Sequence, residues 1–250
     1  MSTPLYAPGV PSTNSIIEAG LGGIIVIGLT GKAGCGKSTA ALNVCQQYKS
    51  AVNMDFATPI RDMIMALDNS RNKPYSKKVT KVNSLWMVKQ EVKGLNFIGT
   101  RTYRHLMQTL GTEWGRDLVD KDLWVVKLFD SMIINCNKLY RKGVTPIVVI
   151  DGIRFQNEVE FISNFPNHLF IEIQRNNVSA GVSEKEKQHS SEDGVSQFTP
   201  GETTARIIND GSIFDLSHAL KTLIDNAFMD NTPGGPVPGL GDHILCKENF

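Results

Sequence analysis

The chain has 250 residues, 41% of them hydrophobic, enough for one sizeable α/β domain with lid-like insertions but not for two full domains. Its 26 Lys and Arg residues nearly balance its 25 Asp and Glu residues, which excludes a global positive charge for coating nucleic acid or an anionic membrane. No apolar run approaches the roughly 20 residues that cross a bilayer, and the four cysteines form no C-x-x-C pair, which argues against zinc and favours a reduced cytoplasm.

Both ends of the chain contain several prolines and glycines. Residues 1–22 lack the basic start and apolar middle of a signal peptide, so we expect a flexible N-terminal arm there. Residues 231–250 hold four glycines and three prolines, which disfavour a helix or a central strand. We expect a flexible C-terminal tail after the domain over residues 23–230, in which Ile244, Leu245 and Phe250 are apolar residues available for docking.

The most informative stretch is a buried strand, a glycine-rich loop and a helix over residues 24–45. Residues 31–38 read GKAGCGKS and match G-x-x-x-x-G-K-[ST] with the required strand before and helix after. Glycines admit φ values that a side chain forbids, so successive N–H groups can surround a phosphate. Lys37 is expected to reach the β/γ-phosphates and Ser38 to ligate Mg²⁺, at the positive end of the helix. The predicted nucleotide-phosphate-binding residues here are Gly31, Ala33, Gly34, Cys35, Gly36, Lys37, Ser38 and Thr39.

After this helix, residues 50–56 predict a second strand, and Pro59 suits the first turn of a helix that runs to Leu67. The following residues, about 70–100, are basic with interspersed aromatic residues. Two interpretations stay open for them: a solvated, partly helical insertion, or a substrate-covering flap whose cations meet a phosphate.

Residues 101–117 predict an amphipathic helix with Arg104 and Gln108 one turn apart beside its apolar face. Such a pair suits a phosphate and a base edge, because arginine binds anions bidentately. We expect Gly111 to interrupt this helix, with Arg116 in the next turn.

A second amphipathic helix is predicted over residues 122–140, and the apolar run 145–151 predicts a buried strand that ends in a carboxylate. Because ligands sit outside the carboxyl ends of parallel strands, Asp151 is expected to point toward the glycine-rich loop of residues 31–38, here called the phosphate loop. It would hold Mg²⁺ through water, as a Walker B aspartate does, or cap a turn before Gly152. Arg154 is close enough in sequence to reach the same anion.

The remaining predicted elements are a helix over 157–163, a strand over 168–174, a short strand and turn over 206–212, and a final helix over 213–229. Between them, residues 176–206 form a polar span of the length typical of a lid or of disorder. His189 and three nearby glutamates are a weak candidate for a metal site, since no second ordered ligand pair accompanies them.

Six short motifs follow the phosphate loop in a defined order. They are Phe56-Ala-x-Pro-Ile-Arg61, Arg104-x-x-Met-Gln108-x-Leu-Gly-Thr-Glu113-x-x-Arg116, Trp124-Val-Val-Lys-Leu-Phe129, Asp151-x-x-Arg154-Phe-x-Asn-Glu158, His189-x-Ser-Glu192 and Ile208-Asn209-Asp-Gly-Ser212. Their order and spacing, over residues 24 to about 228, resemble the deoxynucleoside monophosphate kinases of tailed phages. One departure concerns the family's usual Asp-x-Arg, which is Asp151-Gly152-Ile153-Arg154 here, so the aspartate has moved by one residue or changed its role.

The resemblance implies an α/β P-loop nucleoside-monophosphate-kinase fold of three layers. This fold has a central parallel sheet, a substrate-binding insertion over about 70–100 and a lid over about 176–206. It also implies ATP with Mg²⁺ as donor and a deoxynucleoside monophosphate as acceptor, whose diphosphate product serves phage DNA precursor synthesis in the host cytoplasm. Transfer would be direct and in line.

The same resemblance implies roles for particular residues. Arg61, Arg104, Arg116 and Arg154 would bind the acceptor phosphate or the transferring group, together with Asp151, and Gln108 would bind the acceptor's base or sugar. Arg175 would belong to the lid, and Asn209 would lie near the donor adenine. The implied catalytic set is Lys37, Arg104, Asp151, Arg154 and Arg175, with Ser38 and Asp151 as the metal ligands.

Two other functions remain open from the sequence. One is a different small-molecule P-loop kinase, such as a dephospho-coenzyme-A kinase-like enzyme, which shares the loop and an Asn-x-Gly-type turn. The other is a nucleotide-binding protein without catalysis. The sequence also leaves open which bases are accepted, whether ribonucleotides are excluded, and whether the chain forms a homodimer.

Overall fold

The fold is built around a sheet of six parallel strands. The computed structural model describes residues 9–32, 34–67, 103–176, 204–228 and 244–245. The strands are β1 (Ile25–Thr30), β2 (Ala51–Met54), β3 (Ile147–Asp151), β4 (Asn167–Gln174), β5 (Thr204–Ile208) and β6 (Ile244–Leu245), in the order β2-β3-β1-β4-β5-β6. The predicted α/β architecture with a central parallel sheet is therefore confirmed.

Seven α-helices accompany the sheet in the described part of the chain. They are α1 (Thr13–Glu18), α2 (Lys37–Gln47), α3 (Thr58–Leu67), α4 (Tyr103–Gln108), α5 (Leu123–Tyr140), α6 (Gln156–Ser163) and α7 (Ile213–Phe228), and a π-helical segment, Thr109–Val119, follows α4. None of these helices is both long and apolar enough to span a membrane. The chain divides into two compact units, one of residues Met1–Phe56 with Val125–Phe250, the other of Ala57–Trp124.

Strand β1 is the centre of the first unit, with β3 on one side and β4 on the other. Its last residues are in register with the ends of both neighbours, Leu29 with Asp151 and Thr30 with Glu172. The chain switches direction across the sheet at this strand, and such a switch point is where parallel sheets bind ligands. The buried residues of β1, β3 and β4 are almost all aliphatic, as expected for strands covered on both faces.

Helices α2 and α7 pack on this sheet and are joined by side-chain hydrogen bonds. Gln47 Nε2 donates to the carbonyl oxygen of Ser217 at 2.8 Å, and Tyr48 Oη donates to Asp225 Oδ1 at 2.6 Å. The pKa of the Tyr48 phenol is raised, first by burial and then by this carboxylate. The two helices therefore share polar as well as apolar contacts at the far end of α2 from its N-terminus.

The prediction of a flexible arm over residues 1–22 is wrong for the described part of that arm. Ser12 caps α1 by accepting the backbone N–H of Ser15 at 3.3 Å, and Ile16 and Leu21 are fully buried. The side-chain amide of Asn164 also donates to the carbonyl oxygen of Pro11 at 3.0 Å. Two apolar anchors and a capped helix thus outweigh the prolines of this stretch.

Part of the predicted flexible tail over 231–250 joins the sheet. Ile244 and Leu245 form β6 and pair in parallel with Ile207 and Ile208 of β5. A strand of two residues at the sheet edge needs little of the chain around it, which is compatible with the neighbouring prolines and glycines. The other tail residues lie outside the described residues, as do the predicted insertion over 70–100 and residues 177–203 of the predicted lid.

In the second unit, Gly111 does not interrupt the helix as predicted. The helix continues through it as the π-helical segment, and Gly111 is buried. Its carbonyl oxygen accepts the indole N–H of Trp124 at 2.6 Å. Gly115 lies against the same indole, since a Cβ there would come within 2.3 Å of the ring. Gly115 therefore permits close packing on Trp124, and a Cβ on Gly111 would lie 3.0 Å from Ile60 Cδ1.

Candidate functional site

The phosphate loop has the backbone conformation that its glycines allow. Gly31, Gly34 and Gly36 have φ values of 132°, 81° and 109°, all in the left-handed region that favours glycine. A Cβ on Gly31 would lie 2.2 Å from the carbonyl oxygen of Ile173, so only glycine fits there. Ala33 lies outside the described residues. The loop thus follows β1 at the switch point of the sheet and turns directly into α2.

The first turn of α2 supplies backbone N–H groups at the end of this loop. Gly36 is the N-cap and has no side chain to cap the helix, while its carbonyl oxygen accepts the N–H of Ala40 at 2.9 Å. Lys37, Ser38 and Thr39 follow as the first three helical residues. Their N–H groups precede the first intrahelical donor and carry the positive end of the helix dipole, an arrangement that binds anions.

Lys37 folds its side chain back over the loop. Its Nζ lies 2.6 Å from the carbonyl oxygen of Gly31 and 2.8 Å from that of Lys32, and 3.9 Å from Cys35 Sγ. Cys35 itself is 1% exposed and packs inside the loop. The ammonium group is therefore held at the loop by carbonyl dipoles, which a phosphate group can replace as a stronger partner.

Asn209 follows β5 and contacts the phosphate loop. Its Nδ2 donates to the carbonyl oxygen of Cys35 at 2.9 Å, and its backbone N–H donates to the carbonyl oxygen of Gln174 at 2.7 Å. The residue is 8% exposed. In the structure the side-chain amide of Asn209 thus binds the backbone of the loop, a contact that the sequence did not predict.

The turn after Asn209 is closed at the start of α7. Asp215 accepts the backbone N–H of Ser212 at 2.8 Å and the hydroxyl of the same residue at 2.6 Å. These two hydrogen bonds lower the pKa of the Asp215 carboxyl below its ordinary value. The turn is thus a capped helix start, and its geometry is set locally.

Asp151 ends β3 beside the strand that leads into the loop. Its Oδ1 is buried and has no hydrogen-bond partner among the described residues. A buried carboxylate oxygen without a partner is unfavourable unless a cation or a donor satisfies it. The described residues contain no group of three or more His, Cys, Asp or Glu side chains that could hold a metal ion. An ion that fits this site is one held by few protein ligands, as Mg²⁺ is when phosphates and water complete its coordination.

Arg154 lies in a loop that is fixed on both sides. Before it, Gly152 has a φ of 102° and Ile153 is 3% exposed. A Cβ on Gly28 of β1 would be 2.8 Å from Ile153 Cδ1, so the extra residue between Asp151 and Arg154 packs on the central strand. After it, Glu158 Oε2 accepts the backbone N–H of Arg154 at 2.7 Å.

Glu158 is a residue whose role the sequence reading missed. Its carboxylate is 3% exposed and also accepts the backbone N–H of Phe155 at 3.1 Å, at the N-cap of α6. Glu158 is the third residue of α6, the usual place for the glutamate of a capping box, whereas the predicted helix over 157–163 started one residue later and made it the second. Glu158 therefore determines the backbone path on which Arg154 is presented.

The second unit holds the other predicted acceptor residues. Arg61 Nη2 donates to Thr58 Oγ1 at 3.0 Å. In the π-helical segment and the residue before it, Gln108 Nε2 and Thr109 Oγ1 are buried without a hydrogen-bond partner among the described residues. Arg116 is half-buried in the same segment. Arg104 lies in α4.

The structure therefore brings one group of predicted residues together at the carboxyl edge of the sheet. This group comprises the described phosphate-loop residues, Asp151 and Asn209. Arg154 leaves β3 at the same edge, and Arg175, which is exposed, directly follows β4. Arg61, Arg104, Gln108 and Arg116 lie in the second unit.

Comparison with known proteins gives one family match. A family model described as deoxynucleotide monophosphate kinase matches residues 70–220, more than half of the chain. The match begins after the phosphate loop, so the loop is an independent observation. No curated protein matches the sequence. Among solved structures, an unliganded sugar kinase from Janibacter sp. HTCC2649 aligns with a TM-score of 0.39 and 13% identity, covering 81% of this chain and 95% of that one.

Proposed function

The chain belongs to the deoxynucleotide monophosphate kinase family, and we propose that it transfers the γ-phosphoryl group of ATP to a deoxynucleoside monophosphate. The products are ADP and a deoxynucleoside diphosphate, which in a tailed phage serves DNA precursor synthesis in the host cytoplasm. One observation carries the proposal: a loop with three left-handed glycines opens α2 with Lys37 at its head. That loop suits a triphosphate donor, and the family indicates the acceptor class.

On the donor side, the loop and the first turn of α2 bind the β- and γ-phosphates through backbone N–H groups. Lys37 exchanges the carbonyl oxygens of Gly31 and Lys32 for phosphate oxygens, which keeps its positive charge beside the transferring group. Phosphoryl transfer depends mainly on positioning and on charge stabilisation, so these groups suffice without a strong general base.

Ser38 and Asp151 are the residues that would hold Mg²⁺. The buried Oδ1 of Asp151, which has no hydrogen-bond partner in the described part of the chain, supports this assignment, because a cation or its bound water satisfies that oxygen. When bound, Mg²⁺ neutralises negative charge on the donor's phosphate oxygens. The role of this chain's residues is to keep an anionic oxygen and a hydroxyl available for it.

On the acceptor side, arginines bind the monophosphate, because a guanidinium group presents paired N–H donors to phosphate oxygens. The candidates that the resemblance implies are Arg61, Arg104, Arg116 and Arg154. Gln108 binds the base or sugar through its side-chain N–H donors, for which the described residues offer no partner. An oxygen of the acceptor phosphate forms the new bond to the γ-phosphorus while the bond from that phosphorus to the bridging β-phosphate oxygen breaks. ADP leaves with the electron pair, and Arg175 adds positive charge after β4.

The test measures ADP formation from ATP and Mg²⁺ with dAMP, dGMP, dCMP, dTMP and dephospho-coenzyme A as separate acceptors. We expect at least one deoxynucleotide to raise ADP formation well above the rate without acceptor, and dephospho-coenzyme A to have no effect. Turnover of dephospho-coenzyme A alone would replace the proposal with a different small-molecule kinase. Binding of ATP without transfer to any acceptor would indicate a nucleotide-binding protein.

A matched pair of variants completes this test. Arg154→Ala removes a proposed phosphate ligand, and Arg141→Ala removes an exposed arginine of the same unit that lies after α5. We expect the first variant to lose activity and the second to retain it. Equal activities in the two variants would exclude Arg154 from the reaction without affecting the assignment of the reaction itself.

A further inference from the structure

We propose that Asn209 is a positioning residue of the phosphate loop: its amide sets the orientation of the Cys35–Gly36 peptide and thereby the affinity for the donor's phosphates. The inference deepens the proposed function and rests on the loop binding a triphosphate. It differs from the role that the resemblance implies, in which Asn209 lies near the donor adenine.

The contact joins two buried groups that are 174 residues apart in the sequence. Asn209 Nδ2 donates to the carbonyl oxygen of Cys35 at 2.9 Å, with Asn209 8% and Cys35 1% exposed. A buried carbonyl oxygen that loses its donor has no water to replace it, so the loop would rearrange to satisfy it. The hydrogen bond from the Asn209 amide is thus required for the observed loop conformation.

The orientation of one carbonyl determines the orientation of the next N–H group. In a planar trans peptide the C=O bond and the following N–H bond point in opposite directions. Because the Cys35 carbonyl points to Asn209, the Gly36 N–H points away from Asn209. Gly36 also touches the amide, since a Cβ there would be 2.5 Å from Asn209 Nδ2 at a φ of 109°. Asn209 therefore constrains both the peptide and the left-handed glycine at the head of α2.

Asn209 is itself held by neighbouring elements. Its backbone N–H donates to the carbonyl oxygen of Gln174 at the end of β4, at 2.7 Å. The next residue, Asp210, accepts the backbone N–H of Asn176 at 2.9 Å. With Asp215 capping α7 just beyond, the turn is anchored to a strand and a helix. The loop is thereby braced against a part of the fold that does not depend on a ligand.

This arrangement predicts a loss of affinity that is independent of the base. If Asn209 orients the loop, its replacement weakens the binding of every ligand that is held through its phosphates. If Asn209 contacts adenine instead, its replacement weakens the binding of ATP but does not change the binding of a ligand that has no base. Asn209→Asp keeps the shape but cannot donate to a carbonyl oxygen, and it adds a negative charge beside the loop. Asn209→Ala removes the donor without adding charge.

The experiment titrates ATP and inorganic tripolyphosphate, each with Mg²⁺, into the full-length protein by calorimetry. Wild type, Asn209→Asp, Asn209→Ala and Tyr48→Phe are compared. Tyr48→Phe is the matched control, because it removes a hydrogen bond between α2 and α7 at the opposite end of α2. We expect both Asn209 variants to bind both ligands at least about tenfold more weakly, the equivalent of about 1.4 kcal/mol, and Tyr48→Phe to bind both as wild type does.

The outcomes separate the inference from the function it rests on. An unfolded fraction lowers the binding stoichiometry but not the affinity, so the affinity of a partly unfolded variant can still be measured. If one Asn209 variant does not fold, the other still tests the positioning role. Loss of ATP affinity alone, or no loss in either ligand, would overturn the positioning role. A wild type that binds tripolyphosphate but phosphorylates no deoxynucleotide would refute the proposed reaction and leave the role of Asn209 standing.

Discussion

The ammonium group of Lys37 lies 2.6 Å from the carbonyl oxygen of Gly31, so the residue at the head of α2 bonds back to the residue that begins the phosphate loop. The contact places a positive charge at the carboxyl end of the central strand. It also shows that the loop and its lysine form one structural unit.

Lys37→Met keeps the aliphatic stem of the side chain and removes the charge. Because one preorganised charged donor contributes roughly 100-fold or more to the rate of such a reaction, we expect the rate of ADP formation to fall by at least about 100-fold. Steady-state kinetics with a responsive deoxynucleotide measures it. Lys49→Met, which changes an exposed lysine after α2, is the control and should behave as wild type. A Lys37→Met enzyme with full activity would remove Lys37 from the mechanism.

Asp151→Asn keeps the size of the side chain and removes its negative charge. We expect the Mg²⁺ concentration for half-maximal activity to rise by about tenfold or more, as when metal-site partners are replaced. The melting temperature without Mg²⁺ should not fall, since Oδ1 of Asp151 has no hydrogen bond to lose among the described residues. An unchanged Mg²⁺ requirement would assign Asp151 to the turn before Gly152 instead.

Glu158→Ala removes the acceptor for two backbone N–H groups. A buried polar group that loses its partner costs about 1–3 kcal/mol, so we expect the free energy of unfolding to fall by that amount in urea denaturation. Activity should fall further than stability explains, because the loop that carries Arg154 loses its support. Glu160→Ala, an exposed position on the same helix, should change neither quantity. Full activity in folded Glu158→Ala would show that the cap has only a structural role.

Cys136 should be unreactive in the native protein. Burial raises the pKa of its thiol from 9.0 to about 11. Because the folded-state pKa is raised, the neutral thiol's contribution to stability is complete below pH 9 and is lost as the pH rises toward 11. Alkylation with iodoacetamide at pH 8, followed by peptide mass spectrometry, should modify the half-buried Cys45 before Cys136. Rapid native-state modification of Cys136 would contradict its burial.

Much of the fold follows from patterns that are local in sequence. The apolar run before Asp151 predicted a strand over 145–151, and β3 covers Ile147–Asp151. The predicted helix over 122–140 corresponds to α5, Leu123–Tyr140. The phosphate loop was recognisable because its spacing is short and its strand and helix adjoin it. In each case the residues that determine the element lie within it.

The missed features depend on contacts between distant residues. Gly111 can end a helix or lie within one, and its contacts with Trp124 and Ile60 involve residues far from it in the sequence. In the same way, no pattern around Asn209 shows that its amide meets Cys35. Helix α1 was not predicted, because the burial of Ile16 depends on the rest of the fold. A local reading of the sequence identifies chemical groups but not these pairings.

The most direct measurement of the central claim follows the phosphoryl group itself. Wild-type protein is incubated with ATP labelled at the γ-phosphorus, Mg²⁺ and each deoxynucleoside monophosphate, and the products are separated by chromatography. The proposed reaction predicts label in the β-phosphate of a deoxynucleoside diphosphate, in an amount equal to the ADP formed, and none with Lys37→Met. Label that appears only as inorganic phosphate, or remains in ATP with every acceptor, would contradict it.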